Sequence, residues 1–169
     1  VIEIVADDRS GQWVLDGAMV RESLNLPIVD VDLFLSSGHF FHDGVAGRIE
    51  SDAAFPVIAL LREHGKIVAP VDDGPRLVAH TLECVSGAEV RVPDALRFDE
   101  LAEVPVATVR IRRQRRDGYK DGLDVELSFR YAAIEIDAFD ARTRLFDEVR
   151  RVIVPRDQAA ERAARDRLV

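Results

Sequence analysis

Two segments of alternating side chains flank a turn-rich loop in the second half of the chain. The segments "VRIRRQRR" at residues 109–116 and "VELSFRY" at residues 125–131 place apolar residues at alternate positions, and the loop between them includes "DGYKDG". Alternation of this kind is typical of strands with one buried face, and the loop is typical of a hairpin. We therefore predict an antiparallel hairpin whose buried side chains are Val109, Ile111, Val125, Leu127 and Phe129.

The two faces of this hairpin constrain its pairing register. The apolar faces must match, so the residue numbers of paired positions must have an even sum. Two registers fit the loop: one places Arg112 opposite Glu126, and the other places Arg116 opposite Asp124. In either register an outward arginine faces an outward carboxylate, and such a pair contributes roughly 0.2–1 kcal/mol.

The first strand of the hairpin carries a cluster of positive charge in an acidic chain. The formal net charge of the 169 residues is -8, yet five arginines lie within seven positions: Arg110, Arg112, Arg113, Arg115 and Arg116. Three interpretations fit: a cross-paired sheet face, a contact with nucleic-acid phosphates, or a contact with an acidic protein. Salt screens distant carboxylates beyond roughly 10 Å, so the cluster can bind phosphate despite the net charge. Arg113 and Arg115 are then the expected phosphate contacts, whereas Arg112 and Arg116 are expected to be cross-paired.

The remaining patterns predict an α+β fold that is rich in antiparallel strands, with two mid-chain helices and a C-terminal helix. The first helix lies in residues 51–65, with Ser51 as a candidate N-cap and a regular start nearer Ala54 or Phe55. The second lies in residues 72–87, and alternation in residues 28–37 predicts a strand. The final helix begins at Asp157.

The final helix is expected to pack through small side chains. Ala160, Ala164 and Leu168 lie on one face at helical spacing, which allows a close approach to a sheet. Glu161 and Arg165 are spaced for an outward ion pair.

We expect residues 1–169 to be one domain cut from a longer polypeptide, because the sequence opens in a strand and stops within a helix that has no stop signal. A soft boundary in the proline-bounded residues 93–105 separates a mixed α/β part, residues 1–92, from a β-rich part with the C-terminal helix, residues 106–169. The single Cys84 fits a reducing compartment, and no apolar run approaches the ~20 residues of a membrane helix. The sequence therefore predicts the bacterial cytoplasm and no membrane partner.

Three pairs of side chains are candidates for chemical sites. His39 and His42, with Asp43 beside them, are zinc ligands only if a turn brings them together and another ligand joins them. His80 and Cys84 share a helix face, and Asp30 and Asp32 share a strand face that could hold Mg²⁺. Loop histidines, a buried cysteine and a solvated strand face explain these pairs without a ligand, so we expect no metal and no cofactor.

The sequence also lacks the motifs of common catalytic centres. Gly65-Lys66 is followed by Ile67 where a phosphate loop requires Ser or Thr, and no glycine lies five residues upstream. There is no dinucleotide fingerprint and no serine elbow. We predict no catalytic residue within these 169 positions.

Three stretches resemble a known family when they are taken in order. They are "AFPVIALLREHGKIVAP" at residues 54–70, "VELSFRYAAIEI" at 125–136 with its Phe-x-Tyr signature, and "RRVIVPRDQAAERAARDRL" at 150–168 with Arg-Asp before an alanine-rich helix. Together they resemble the helicase-associated domain that lies upstream of the motor in bacterial Swi/Snf-type ATPases, over roughly residues 40–169. The sequence departs from the pattern at Ala132, where the resemblance leads us to expect Gly.

The resemblance implies a non-catalytic accessory domain of an ATP-dependent DNA helicase or translocase. ATP hydrolysis would then belong to motor domains of the same full-length chain, which are the implied partners, and DNA is a further candidate partner. One alternative is a protein-interaction or scaffold domain with no nucleic-acid role. Another is a hydrolase built on the carboxylates and histidines.

Overall fold

A computed structural model describes residues 1–21, 24–49, 54–85, 88–114 and 122–167. Within these ranges the chain forms three α-helices and mostly antiparallel sheets, which confirms the predicted α+β, β-rich fold. The strands are β1 Ile2–Asp7, β2 Gln12–Arg21, β3 Leu24–Pro27, β4 Leu33–Phe34, β5 His39–His42, β6 Val45–Arg48, β7 Ile67–Pro70, β8 Val90–Arg91, β9 Asp99–Glu100, β10 Val106–Gln114, β11 Gly122–Tyr131, β12 Ile134–Asp137, β13 Arg144–Asp147 and β14 Val152–Pro155. The helices are α1 Phe55–His64, α2 Gly74–Cys84 and α3 Gln158–Asp166.

The chain divides into two compact units, residues 1–97 and residues 98–169. The division lies inside the proline-bounded segment 93–105. Part of that segment is structured, because β9 pairs in parallel with β14 and thereby belongs to the second unit.

The first unit is organised by the long strand β2. This strand pairs antiparallel with β1, β3 and β7, and β8 pairs in parallel with β1. Packing against the sheet is close at Gly17, where an added Cβ would lie 2.6 Å from the Ile28 side chain and 2.9 Å from Leu61. A second sheet in this unit is the small meander β4-β5-β6.

The two mid-chain helices lie where the sequence predicts them. Helix α1 begins at Phe55 with Pro56 in its first turn and is followed by Gly65, whose φ of 73° suits a glycine. Its buried side chains are Val57, Ile58 and Leu61, whereas Leu60 is exposed. The candidate N-cap Ser51 lies outside the described residues.

The predicted strand over residues 28–37 is wrong. Residues Ile28–Asp30 form a 3₁₀ turn directly after Pro27, and only Leu33–Phe34 are extended in a ladder. The turn buries Ile28 and Val31, so the alternation that suggested a strand does not correspond to one buried face. Asp30 and Asp32 consequently do not share a strand face.

The second unit contains two three-stranded sheets and α3. One sheet has the order β10-β11-β12 and the other β13-β14-β9. Its core is a cluster of buried side chains from four strands and the residue after β12: Phe129, Tyr131, Ile136, Ala138, Leu145 and Val154. Ala164 of α3 packs against this cluster. Asp157 caps α3, because its carboxylate accepts a hydrogen bond of 2.9 Å from the backbone N–H of Ala160.

The predicted hairpin is present, but both predicted registers are wrong. Arg110 lies opposite Glu126, two residues away from the first predicted register, and Arg112 lies opposite Asp124, four residues away from the second. The sum of paired numbers is still even, so each side chain keeps its predicted face. The observed register makes two outward pairs of opposite charge among the described positions, whereas each predicted register made one, and this difference favours the observed pairing.

Candidate functional site

The polar face of the β10–β11 hairpin pairs its arginines with carboxylates. Arg110 Nη1 lies 3.5 Å from Glu126 Oε2, and Arg112 Nη1 lies 3.3 Å from Glu126 Oε1. Two arginines therefore share one glutamate, which confirms the expected cross-pairing of Arg112. All three side chains are largely solvent-exposed, so these contacts are weak, about 0.2–1 kcal/mol each.

The other arginines of the cluster are placed differently. Arg113 lies opposite Leu123, on the face that carries the aliphatic side chains. Arg115 and Arg116 lie outside the described residues, as does the "DGYKDG" loop. The structure thus places three of the five candidate phosphate contacts, two on the polar face and one on the apolar face.

The apolar face of the hairpin is exposed beyond its base, which corrects the predicted burial. Phe129 is fully buried, but Val109, Ile111, Val125 and Leu123 are 39%, 63%, 59% and 73% exposed. The reason is the length of the neighbouring strand: β12 pairs only with residues Ser128–Tyr131 of β11. The hairpin therefore extends beyond the end of β12 and beyond the core cluster, and its outer aliphatic side chains face solvent.

The Phe-x-Tyr and Arg-Asp motifs meet in one buried network. The Tyr131 hydroxyl donates a hydrogen bond of 2.6 Å to Glu161 Oε1. Arg156 donates to both oxygens of the same carboxylate, from Nε at 2.8 Å and from Nη2 at 2.7 Å. Tyr131 and Glu161 are 0% exposed, and the Arg156 side chain is 2% exposed.

Further bonds fix this network to the backbone. Arg156 Nη1 donates to the carbonyl oxygens of Asp140 and Arg142, each at 2.6 Å. The Tyr131 hydroxyl accepts from the backbone N–H of Asp157 at 3.0 Å. The start of α3 is thereby tied to the end of β11 and to the segment that follows β12.

The environment of the network sets the charge of its members. Burial and the hydrogen bond to Glu161 raise the pKa of Tyr131 to about 12, so its hydroxyl remains protonated at neutral pH. Burial opposes the ionisation of Glu161, but the hydrogen bonds from Arg156 and Tyr131 outweigh it and lower its pKa. Glu161 is therefore a buried carboxylate that is held ionised by its partners.

The buried position of Glu161 corrects the prediction of an outward Glu161–Arg165 pair. Arg165 Nη2 does lie 3.6 Å from Glu161 Oε2, but the carboxylate points into the unit. One signal in the sequence was available: Tyr131 shares the apolar face of its strand, and a buried tyrosine hydroxyl requires a partner. Ala164 contacts the core as expected, and Leu168 lies outside the described residues.

The structure separates the two histidines that the sequence suggested as zinc ligands. His39 and His42 lie three apart in β5, so their rings leave opposite faces of the strand, and His39 Nδ1 contacts Ser37 Oγ at 3.0 Å. His80 and Cys84 are both on the surface, so the expected burial of the cysteine is wrong. The structure instead brings His42 together with Asp32 and Asp43.

Comparisons with protein-family models, with curated protein sequences and with solved structures find no match for this chain. In the described part of the chain, every helix is too short or too polar to cross a membrane.

Proposed function

We propose that this chain is a non-catalytic accessory domain of a bacterial Swi/Snf-type ATP-dependent DNA helicase or translocase, working in the cytoplasm. One observation carries the proposal: residues of two stretches that resemble the helicase-associated domain assemble into a single buried network. Tyr131 belongs to one stretch, and Arg156 and Glu161 belong to the other. Glu161 lies 30 positions after Tyr131 in the sequence. Residues on which the resemblance rests therefore bind one another in the folded chain.

The bonding of the network supports an architectural role for these residues. Both oxygens of Glu161 accept hydrogen bonds, and the Tyr131 hydroxyl both donates and accepts. A tyrosine whose pKa is about 12 does not serve as a base at neutral pH. These groups hold α3 against the sheet.

The hairpin provides the surface by which such a domain would contact its partner. Its polar face is partly neutralised, because Glu126 contacts both Arg110 and Arg112. Its apolar face presents four exposed aliphatic side chains: Val109, Ile111, Leu123 and Val125. Aliphatic surface is typical of protein contacts, whereas phosphate contacts need cations, so the geometry favours a motor domain of the same full-length chain over DNA as the direct partner.

The same apolar face favours the second candidate, a protein-interaction domain with no nucleic-acid role. The two candidates differ in what the full-length protein does. A translocase hydrolyses ATP faster when duplex DNA is present, and a scaffold protein does not.

The experiment measures DNA-stimulated ATP hydrolysis by the full-length protein, for the parent and for an Ile111→Asp/Val125→Asp variant. We expect the parent to be stimulated by duplex DNA and the variant to lose at least about tenfold of that stimulation, because a buried unpaired carboxylate disrupts an apolar contact. The matched control, Thr108→Asp, adds charge to the polar face and is expected to leave stimulation unchanged. Absence of DNA-stimulated hydrolysis by the parent would overturn the proposal in favour of the scaffold.

A fluorescence titration of duplex DNA with the 169-residue chain tests direct phosphate contact. We expect weak or no binding at low salt. If the arginines bind phosphate instead, affinity will fall with salt at a log-log slope of about 0.9 per neutralised phosphate, and the Arg113→Ala/Arg115→Ala variant will reduce that slope. That result would make DNA the direct partner of the hairpin.

A further inference from the structure

The turn of the β5–β6 hairpin brings three potential metal ligands together. The strands are joined by the two-residue turn Asp43-Gly44, and both residues have positive φ, 48° and 75°. Within this turn the Asp43 carboxylate lies beside the ring of His42, with 3.5 Å between Asp43 Oδ2 and His42 Nε2.

The third residue comes from the segment before the hairpin. Asp32 Oδ2 accepts a hydrogen bond of 3.0 Å from the backbone N–H of Asp43 and lies 3.6 Å from His42 Nδ1. One ligand atom from each of the three residues lies within 4.8 Å of the others. Asp32 thereby joins residues that lie ten and eleven positions later in the sequence. The set considered from the sequence was His39 and His42 with Asp43 beside them, and it did not include Asp32.

The imidazole of His42 is incompletely satisfied in this arrangement. Its Nδ1 is buried and has no hydrogen-bond partner, and the carboxylate oxygen at 3.6 Å is beyond hydrogen-bonding range. A buried polar atom without a partner is unfavourable, and it marks a position where another group can bind. His39, three residues earlier in the same strand, has its Nδ1 within 3.0 Å of a serine hydroxyl.

We propose that Asp32, His42 and Asp43 bind a divalent transition-metal ion, with Zn²⁺ as the best fit. The 3.6 Å contact of Asp32 is to Nδ1 of His42 and the 3.5 Å contact of Asp43 is to Nε2, so an ion would bind one ring nitrogen and the other carboxylate would move toward it. A tetrahedral zinc ion with bonds of about 2.0–2.2 Å holds its ligand atoms about 3.4 Å apart, and one ligand atom from each of the three residues lies within 4.8 Å of the others. An imidazole nitrogen distinguishes this set from a Mg²⁺ site, which consists of oxygen ligands. Two carboxylates and a neutral imidazole balance the charge of the ion.

Three protein ligands leave the fourth tetrahedral position to water. The bound ion would link the segment around Asp32 to the hairpin turn, so metal binding would stabilise the folded state by mass action. This site does not depend on the proposed accessory function, since it lies in residues 1–97 and the network and hairpin lie in residues 98–169.

The test is isothermal titration of the 169-residue chain with Zn²⁺, on protein purified without a polyhistidine tag. We expect one equivalent to bind, and His42→Gln and Asp43→Asn each to weaken the affinity by at least about tenfold, since even the loss of an outer hydrogen-bond partner of a metal ligand costs that much. The matched controls are His39→Gln, from the opposite face of the same strand, and Asp30→Asn, from the same segment as Asp32. Both controls are expected to keep the parent affinity.

A second measurement does not depend on how the variants fold. Co²⁺ substituted into the parent chain should give the visible absorption of a tetrahedral site, and excess Mg²⁺ should not displace it. The proposal is overturned if the parent binds no Zn²⁺, if His42→Gln keeps the parent affinity, if His39→Gln loses as much as His42→Gln, or if Mg²⁺ displaces Co²⁺ at comparable concentration. In the first case the three side chains contact only one another and the backbone of the turn.

Discussion

Two arginine–glutamate clusters in residues 98–169 have the same chemistry and opposite environments. At Glu161 the arginine is buried, both carboxylate oxygens are hydrogen-bonded, and a tyrosine completes the set. At Glu126 two exposed arginines approach one exposed carboxylate at 3.3 and 3.5 Å. The first cluster fixes the position of a helix, whereas the second is weak enough to be exchanged for contacts with a partner.

The largest effect is expected at Arg156. Replacement of Arg156 by Ala leaves Glu161 buried without its cation and frees two backbone carbonyls, so the free energy of unfolding should fall by about 3–5 kcal/mol. Denaturant titration measures this change. The matched control, Arg110→Ala on the hairpin, should change the same quantity by less than about 1 kcal/mol.

A double variant sharpens this result. Arg156→Ala/Glu161→Ala removes both charges, so its cost should be clearly smaller than the sum of the two single costs. Equal and additive losses would show that the two side chains contribute independently, and the buried pair would then have no special role.

The second prediction concerns acid. The pKa of Glu161 is lowered in the folded state, so its contribution to stability is complete above its unfolded pKa of about 4.3 and is lost as the pH falls through the lower folded value. The parent should therefore lose stability in this acidic window more steeply than Glu161→Gln does. Thermal unfolding measured between neutral pH and the acid limit compares the two slopes, and parallel curves would contradict the assignment.

Much of the fold could be predicted because its signals are local. The ends of α1, the capping of α3 by Asp157 and the faces of the hairpin each depend on a few neighbouring residues. The exposure of Ile111 depends instead on the length of β12, and the burial of Glu161 depends on Tyr131, 30 positions earlier. Those outcomes are decided by tertiary contacts that periodicity does not describe.

The candidate sites also differ in whether their signals are local in the sequence. The arginine cluster is visible because its members are adjacent in sequence. The set Asp32, His42 and Asp43 is not, since a 3₁₀ turn and a two-residue hairpin turn decide whether its members meet. The predicted strand over residues 28–37 placed Asp32 on one face with Asp30 instead.

The third prediction uses the departure from the family pattern at Ala132. This residue follows Tyr131 in the turn between β11 and β12, next to the buried network, and its φ is 50°. An L-residue is disfavoured in this region by roughly 1–2 kcal/mol, and replacement by glycine removes that cost. Part of the gain is offset because glycine has more conformational freedom in the unfolded chain. Ala132→Gly should therefore stabilise the chain by about 0.5–1 kcal/mol, measured by denaturant titration. The adjacent Ala133→Gly is the control, and because its φ is not positive, it should bring no gain.

The smallest effect is expected at Glu126. Glu126→Gln removes the carboxylate that Arg110 and Arg112 share, but all three side chains are largely solvated, so the free energy of unfolding should change by less than about 0.5 kcal/mol. That change should shrink further as salt is added, because exposed pairs are screened. The same substitution makes the hairpin more positive without disturbing its apolar face, so any duplex DNA binding by the chain should increase at low salt. The proposed docking of a motor domain on Ile111 and Val125 should not change. A loss of several kcal/mol would instead show that the exposed cluster is structural, as the buried one is.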